Sequence, residues 1–384
     1  MGEDLPGEVL ARLATVLLSL RPLASAIDER PVTVDPEVLA SVERLRLALV
    51  TEHLELPSFG PRPAGAKVTA FQQLIDERLR SVGGARTPAA GVGAGELTRI
   101  IDAARAEDVH RRLGRRIITA SDGMEFPAYA AGDPAAPPVV IAPATGMPVE
   151  LSMPWITALA TEFRVLTWET RGLFHERDGE WGVPEQVLDM VAVLDSFGVT
   201  EGHVFGMCSG AAVALAVAAE CPGRVSSMSL WHGDFELGSA GPKTLHQRDL
   251  EALMTDVATG VITAESVHAS LGQTLLATTP DDLAHLVLYP YASPGLLHRY
   301  CQTISAGMRT DVRGHLADIK AATLVVTSET DTTAHPEGSR YVAGELGEGT
   351  LHVLPEGDHL SLFRAGSALV SLAMEFIKKQ LDRR

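Results

Sequence analysis

The stretch HVFGMCSGAAVALAVAAECPGRV, residues 203–225, holds the side chains best placed to do chemistry. Gly206-Met207-Cys208-Ser209-Gly210 ends a short apolar run and opens a long alanine-rich one. That is the layout of a nucleophile elbow, G-x-S-x-G, in which a strand turns sharply into a helix and lifts its middle side chain into solvent. Here the middle residue is Cys208. The thiolate is the reactive form, and a free thiol has a pKa of about 8.5. Two features of such a turn lower it: the positive end of the next helix, and a histidine that takes the proton or pairs with the sulfur as imidazolium. Ser209 is a poor nucleophile in this frame, because its own elbow would need glycine at positions that hold Met207 and Ala211. The bland alternative for Cys208 is a small buried hydrophobe. A site between two glycines at a strand–helix junction does not call for packing.

The elements that would position this thiol emerge from the pattern after residue 115, where strands alternate with helices. RRIITASDG and MEFPAYAAG read as a leading strand pair. PPVVIAPATG is a continuous apolar run of the kind buried on both faces of a sheet. Helix SMPWITALATEF, strand RVLTWETRG and helix PEQVLDMVAVLDSFG precede the elbow, and strand VSSMSLWHGDF comes after it. From 236 to 318 the pattern turns helical. Strand ATLVVTSETD, helix PEGSRYVAGEL, strand TLHVLPEGDH and helix SALVSLAMEFIKKQL complete the chain. This grammar predicts an α/β class, a mostly parallel sheet with helices on both faces. Its ligands bind at the carboxyl ends of the strands. Asp331 falls after one such strand and His359 after the last. Asp331 has a competing reading as a helix N-cap in TSETDTTAHPE, and His359 as a loop cap.

Nucleophile, acid and histidine therefore occur in the chain order of α/β hydrolases, and residues 115–384 resemble that superfamily. The resemblance implies three pieces: a core over 116–235 and 319–384, a helical cap over 236–318 with apolar LVLYPYA as lid, and a separate stretch 1–115. It also implies Cys208 as nucleophile, His359 as base, and Asp331 as the group that orients the ring. Asp234 in WHGDF is the rival acid, since some members of the fold carry it after that earlier strand. An oxyanion hole needs two backbone N–H groups. By position these are Ser209 and Met147, the latter after Thr145-Gly146 where many relatives carry His-Gly. Glu169 and Arg171 in WETRG match the fold's D-x-R-G turn, a structural feature. Of the remaining histidines, His232 is the nearest to the expected site, with His175 and His335 read as surface or loop residues.

The first 115 residues read as helices: GEVLARLATVLLSLRPLASAI, DPEVLASVERLRLALVTEHLEL and AFQQLIDERLRSVG carry three- and four-residue apolar spacing. Asp35-Pro36 marks a start and Gly83-Gly84 a stop, with PSFGPRPAGAK a loop between. The region is either an appendage packed on the main domain or a module for docking a partner or forming a homo-oligomer. The full chain has 384 residues, 46% apolar and 21% charged, with net charge −17. That balance argues against nucleic acid as a general partner. Three cysteines without a CxxC pair fit a reducing compartment. An acidic start without a small-residue cleavage site, and no long uncharged apolar run, lead to the expectation of a cytoplasmic chain without a membrane span. No metal-ligand spacing stands out, nor a G-x-x-x-x-G-K phosphate loop.

A cysteine at the elbow carries further meaning. A serine ester lies well downhill from a thioester, whereas a cysteine thioester is nearly level with a thioester donor. Sulfur therefore suits exchange between thiols, although water also attacks thioesters. In its Gly-x-Cys-x-Gly elbow and long N-terminal extension, the chain is similar to the shuttling aminoacyltransferases of syringomycin and coronamic acid biosynthesis. That resemblance implies transfer of an (amino)acyl group between phosphopantetheine thiols of acyl or peptidyl carrier proteins, or from a small acyl thioester, with no cofactor of the chain's own. The alternative is a thioesterase or esterase that releases the acyl group to water. Carrier proteins are typically acidic, so docking would use a basic patch; Arg105, Arg111, Arg112, Arg115 and Arg116 offer one, with a solvated helix end as the competing reading.

Overall fold

A computed structural model of the chain describes residues 6–82, 93–175, 177, 179, 181–239 and 241–383. The chain divides into two compact units, residues 1–112 with 264–297, and residues 113–263 with 298–384.

In the first unit the expected helices form with interruptions. Pro6–Ser19 and Arg21–Ala26 are separate helices, as are Pro36–Ser41 and Arg44–His53, between which Glu43 takes a left-handed φ of 55°. Asp35 does cap its helix, accepting the Glu37 N–H at 2.8 Å. Ala70–Arg80 opens with a capping box between Thr69 and Gln72. The Gly83-Gly84 stop lies outside the described residues. Two short strands, β1 (Val32–Val34) and β2 (Phe59–Pro61), pair in parallel, the second within the stretch read as loop. A further helix, Ala94–Glu107, lies beyond the segments whose apolar spacing predicts helix.

The expected cap over 236–318 is divided by the fold. Residues 264–297, with helices Ala264–Thr278 and Asp281–Val287, group with the N-terminal helices, while 236–263 and 298–318 stay with the sheet. Packing explains the split. His268 stacks on Phe71 with ring centroids 5.1 Å apart, and a Cβ at Gly272 would sit 3.0 Å from the same Phe71 ring. The LVLYPYA segment, read as a lid, therefore belongs to the first unit.

The second unit is built on an eight-stranded sheet. Its strands are β3 (Arg116–Thr119), β4 (Glu125–Ala131), β5 (Pro138–Ala142), β6 (Arg164–Trp168), β7 (Gly202–Met207), β8 (Val225–Trp231), β9 (Thr323–Ser328) and β10 (Gly349–Leu354), in spatial order 10-9-8-7-5-6-4-3. The leading pair β3–β4 and the pair β4–β6 are antiparallel, and all other pairs are parallel. β7 lies at the centre with every residue buried, as its unbroken apolar run demands. The helix after it, Gly210–Glu220, is buried from Gly210 through Ala218. Alanines on nearly every face let it press against the sheet and its neighbouring helices. Phe205 of β7 and Trp231 of β8 stack at 5.0 Å, and Trp155 packs against both. The Trp155 indole N–H donates to Leu362 O at 2.7 Å, tying the loop after β10 to this aromatic core. Among the described residues no helix is long and apolar enough to cross a membrane.

Candidate active site

Cys208 stands between β7 and its helix in a left-handed backbone with φ of 52°. Few non-glycine residues adopt that region without a surrounding structure that enforces it. The two glycines of the motif are required by close approach. A Cβ at Gly206 would lie 2.7 Å from Ala211 Cα, and one at Gly210 would lie 2.3 Å from Ala142 O. The Cys208 N–H donates to Trp231 O at 3.0 Å, and Cys208 O accepts from Ala211 and Asp234 N–H groups at 3.0 and 3.2 Å. The elbow is thus held on both sides.

His359 begins a 3₁₀ turn after β10, capped by Asp358, which accepts the Ser361 N–H at 2.7 Å. Its Nδ1 lies 2.9 Å from Asp331 Oδ2. Asp331 comes after β9, and its other oxygen, Oδ1, accepts the N–H groups of Thr333 and Ala334 at 2.8 and 3.0 Å. Burial pushes the Asp331 carboxyl up, but hydrogen bonds from His232 and His359 outweigh this and hold it well below the usual carboxylate range. Burial disfavours charge on His359 as well. The Cys208 sulfur, followed by Asp331, reverses that and raises its affinity for a proton well above an ordinary histidine's. His359 Nε2, the nitrogen not used by Asp331, has no other hydrogen-bond partner among the described residues.

Asp234, the rival acid, is engaged elsewhere. Its Oδ1 accepts from Gln247 Nε2 at 2.6 Å, and Gln247 is itself fixed by Thr244 and His335 N–H groups. Burial pushes the Asp234 carboxyl up, opposed by Gln247. Asp234, Thr145, Ser209, Lys243 and Gln247 line a cavity of about 620 Å³, including solvent at its mouth, beside the elbow. The Ser209 hydroxyl donates to Thr145 Oγ1 at 3.0 Å and accepts the Thr145 N–H at 2.9 Å, so it braces the neighbouring loop. Ser209 directly precedes the helix Gly210–Glu220, where a backbone N–H is placed to serve as an oxyanion donor. The Met147 N–H instead closes its own turn on Ala144 O at 3.2 Å.

WETRG serves that loop. Glu169 Oε1 accepts the Val149 N–H at 3.2 Å, Glu169 Oε2 accepts the Tyr129 hydroxyl at 2.7 Å, and Thr170 Oγ1 accepts the Gly146 N–H at 2.8 Å. Burial pushes Glu169 up to about 7, against the Tyr129 and Val149 hydrogen bonds. Arg171 is fully buried against Asp189, with Asp122 also paired to it. His175 is exposed near Glu125, and His335 caps the helix Pro336–Glu345. Neither belongs to the site. His232 does: it is fully buried, and its Nδ1 lies 2.8 Å from the same Asp331 Oδ2 that His359 uses. The ligand atoms of His232, Asp331 and His359 lie within 4.8 Å of one another. The spacings of 2.8 and 2.9 Å are those of hydrogen bonds, whereas ligands of a tetrahedral metal at about 2.0 Å would stand roughly 3.3 Å apart.

The arginines read as a docking patch are largely engaged by neighbours: Arg105 donates to His53 O, Arg112 lies 3.4 Å from Glu107, and Arg116 covers the Phe197 ring at 5.0 Å.

No family model matches the chain. RutD of Serratia proteamaculans, a protein named for carbamate hydrolysis, is 25% identical over 243 residues, spanning 62% of this chain and 89% of its own length. A hydrolase from Pseudomonas aeruginosa PA01 superposes with a TM-score of 0.57 at 22% identity, covering 68% of this chain and 97% of that one. An esterase from Thermogutta terrifontis does so at 0.56 and 17%, covering 69% and 98%. With the sheet order and the elbow already described, these likenesses define the class: the chain has the α/β-hydrolase fold.

Proposed function

We propose that the protein is an enzyme of hydrolase type that opens an activated acyl compound, an ester or thioester, through an acyl group carried on Cys208. The observation that carries this is the set Cys208, Asp331 and His359 at the carboxyl ends of β7, β9 and β10, with His359 Nδ1 2.9 Å from Asp331 Oδ2. The Cys208 thiolate attacks the acyl carbon, and negative charge gathers on the carbonyl oxygen near the Ser209 N–H. His359 gives its Nε2 proton to the departing alcohol or thiol, leaving a thioester on Cys208. The neutral ring then takes a proton from water as that water attacks the thioester, and returns it to the sulfur. The names of RutD and the esterase neighbours favour water as acceptor.

One feature favours a second reading, transfer of an (amino)acyl group from one phosphopantetheine thiol to another on carrier proteins. The elbow carries sulfur although a hydroxyl sits beside it on Ser209, and a cysteine thioester conserves the energy of a thioester donor. The resemblance to the syringomycin-type enzymes points the same way. A labelled acyl thioester separates the two. Release of free acid at the rate of Cys208 loading supports hydrolysis. Label that stays on Cys208 until an acceptor thiol is added supports transfer. Cys208→Ala that still accepts label would overturn both.

A further inference from the structure

Two histidines share one carboxylate oxygen. His359 Nδ1 and His232 Nδ1 lie 2.9 and 2.8 Å from Asp331 Oδ2, and their rings meet edge to face at 5.8 Å. With Asp331 ionised, each Nδ1 carries the proton it donates. His359 turns its Nε2 toward the reaction. The His232 Nε2 is buried without a partner among the described residues, in a side chain wholly withdrawn from solvent. His232 also occupies a left-handed backbone with φ of 47°, directly after β8, as Cys208 does after β7. A strained backbone and a buried ring nitrogen without a partner are costly, and both are explained if the Nδ1 donor is what the site requires.

We propose that His232 is a positioning residue: by donating to Asp331 Oδ2 alongside His359, it fixes the carboxylate and takes up part of its charge, so that Asp331 orients His359 without binding its proton too tightly. The proposal rests on the reading of Cys208 as nucleophile. The other groups that act on His359 are Cys208 from the elbow, Asp331 after β9, Asp234 after β8 and His246 from the helix Leu245–Ala258. Of these groups, Asp331 is hydrogen-bonded to His232. Without His232 the carboxylate would act on one ring alone. The imidazolium would be stabilised, the thiolate would form at lower pH, and the proton would be given up less readily to a leaving group.

The test is the pH profile of Cys208 alkylation by iodoacetamide in the full chain, followed by mass spectrometry of the Cys208 peptide. It is compared with His232→Leu, which lacks the donor, and His232→Asn, which keeps a donor near Nδ1 and tolerates the backbone. His232→Gly replaces the leucine variant if that one does not fold. In the donor-less variant the lower limb should move down and the upper limb up by about one pH unit. Acyl turnover should fall about tenfold in kcat with KM unchanged. The asparagine variant should retain the parent limbs. Limbs unmoved in a folded donor-less variant, or moved equally in the asparagine variant, would overturn the proposal. If Cys208 in the parent alkylates no faster than Cys221 at any pH, the reading of Cys208 as nucleophile falls instead.

Discussion

The turns after β8 and β9 each bring a carboxylate to the same edge of the sheet, and they do opposite things with it. Asp331, after β9, accepts hydrogen bonds at both oxygens: two backbone N–H groups on Oδ1 and two histidine rings on Oδ2. Asp234, after β8, accepts from the amide of Gln247. Burial pushes both toward the neutral form, yet Asp331 ends well below the ordinary carboxylate value and Asp234 above it. The difference lies in the donors. A carboxylate surrounded by four donors can stay charged out of water and steady a histidine. One served by a single amide is better suited to the wall of the cavity.

The sharpest way to break this comparison is to neutralise each carboxylate in turn. Asp331→Asn should lower kcat/KM by about 10³- to 10⁴-fold, because an amide that donates to His359 Nδ1 leaves the ring in the wrong tautomer. Intact-protein mass spectrometry should then show little or no acyl group on Cys208 during turnover. Asp331 also contributes to stability. Its depressed pKa makes that contribution complete above about pH 4 and lost as acid protonates it. The asparagine variant lacks this titration, so its urea midpoint should fall less steeply than the parent's between pH 5 and 2.

Much of this was readable in the residues alone. The apolar runs of β5, β7 and β9 and the alanine-rich helix after the elbow announced a buried parallel sheet. Cys208, Asp331 and His359 stand out in the sequence because each comes just after a strand, where a sheet of this kind binds its ligands. The features that escape such a reading depend on contacts between distant segments. Residues 264–297 have an ordinary helical pattern, and contacts such as the stacking of His268 on Phe71 show where they belong. β1 and β2 are three residues each, too short for an alternation to register. His232 reads from the sequence as the remaining histidine nearest the site, and its partner Asp331 lies 99 positions away. The Met147 turn depended on a single backbone bond to Ala144.

Glu169 sharpens the comparison with an intermediate case, a fully buried carboxylate with two donors, Tyr129 and Val149. Burial wins and pushes it up to about 7 from an ordinary 4.5. The folded state then holds this proton more tightly than the unfolded chain. Its stabilising effect is complete below about pH 4.5 and lost as pH rises through about 7. Glu169→Gln, which like the protonated carboxyl keeps one acceptor oxygen and offers a donor in place of the other, cannot titrate and should remove that loss. Between pH 5 and 8 the variant should gain about 1 to 3 kcal/mol relative to the parent in urea unfolding. An identical pH dependence in the two proteins would show that the two donors already suffice to keep Glu169 ionised.

Asp234→Asn should have the smallest effect, and its smallness is the point. Asp234 acts on His359 through charge and not through a hydrogen bond, so the change should move the limbs of the Cys208 alkylation profile by less than the loss of the His232 donor does and alter kcat by no more than about threefold. The asparagine carbonyl can still accept from Gln247, while the cost of a poorly served buried charge is removed. Stability at pH 7 should therefore hold or rise by about 0.5 to 1 kcal/mol. Any larger change should appear in KM, because Asp234 faces the cavity beside Ser209. A loss in kcat comparable to that of Asp331→Asn would mean that the carboxylate after β8 works on the histidine during turnover, and the division of labour between the two turns would have to be redrawn.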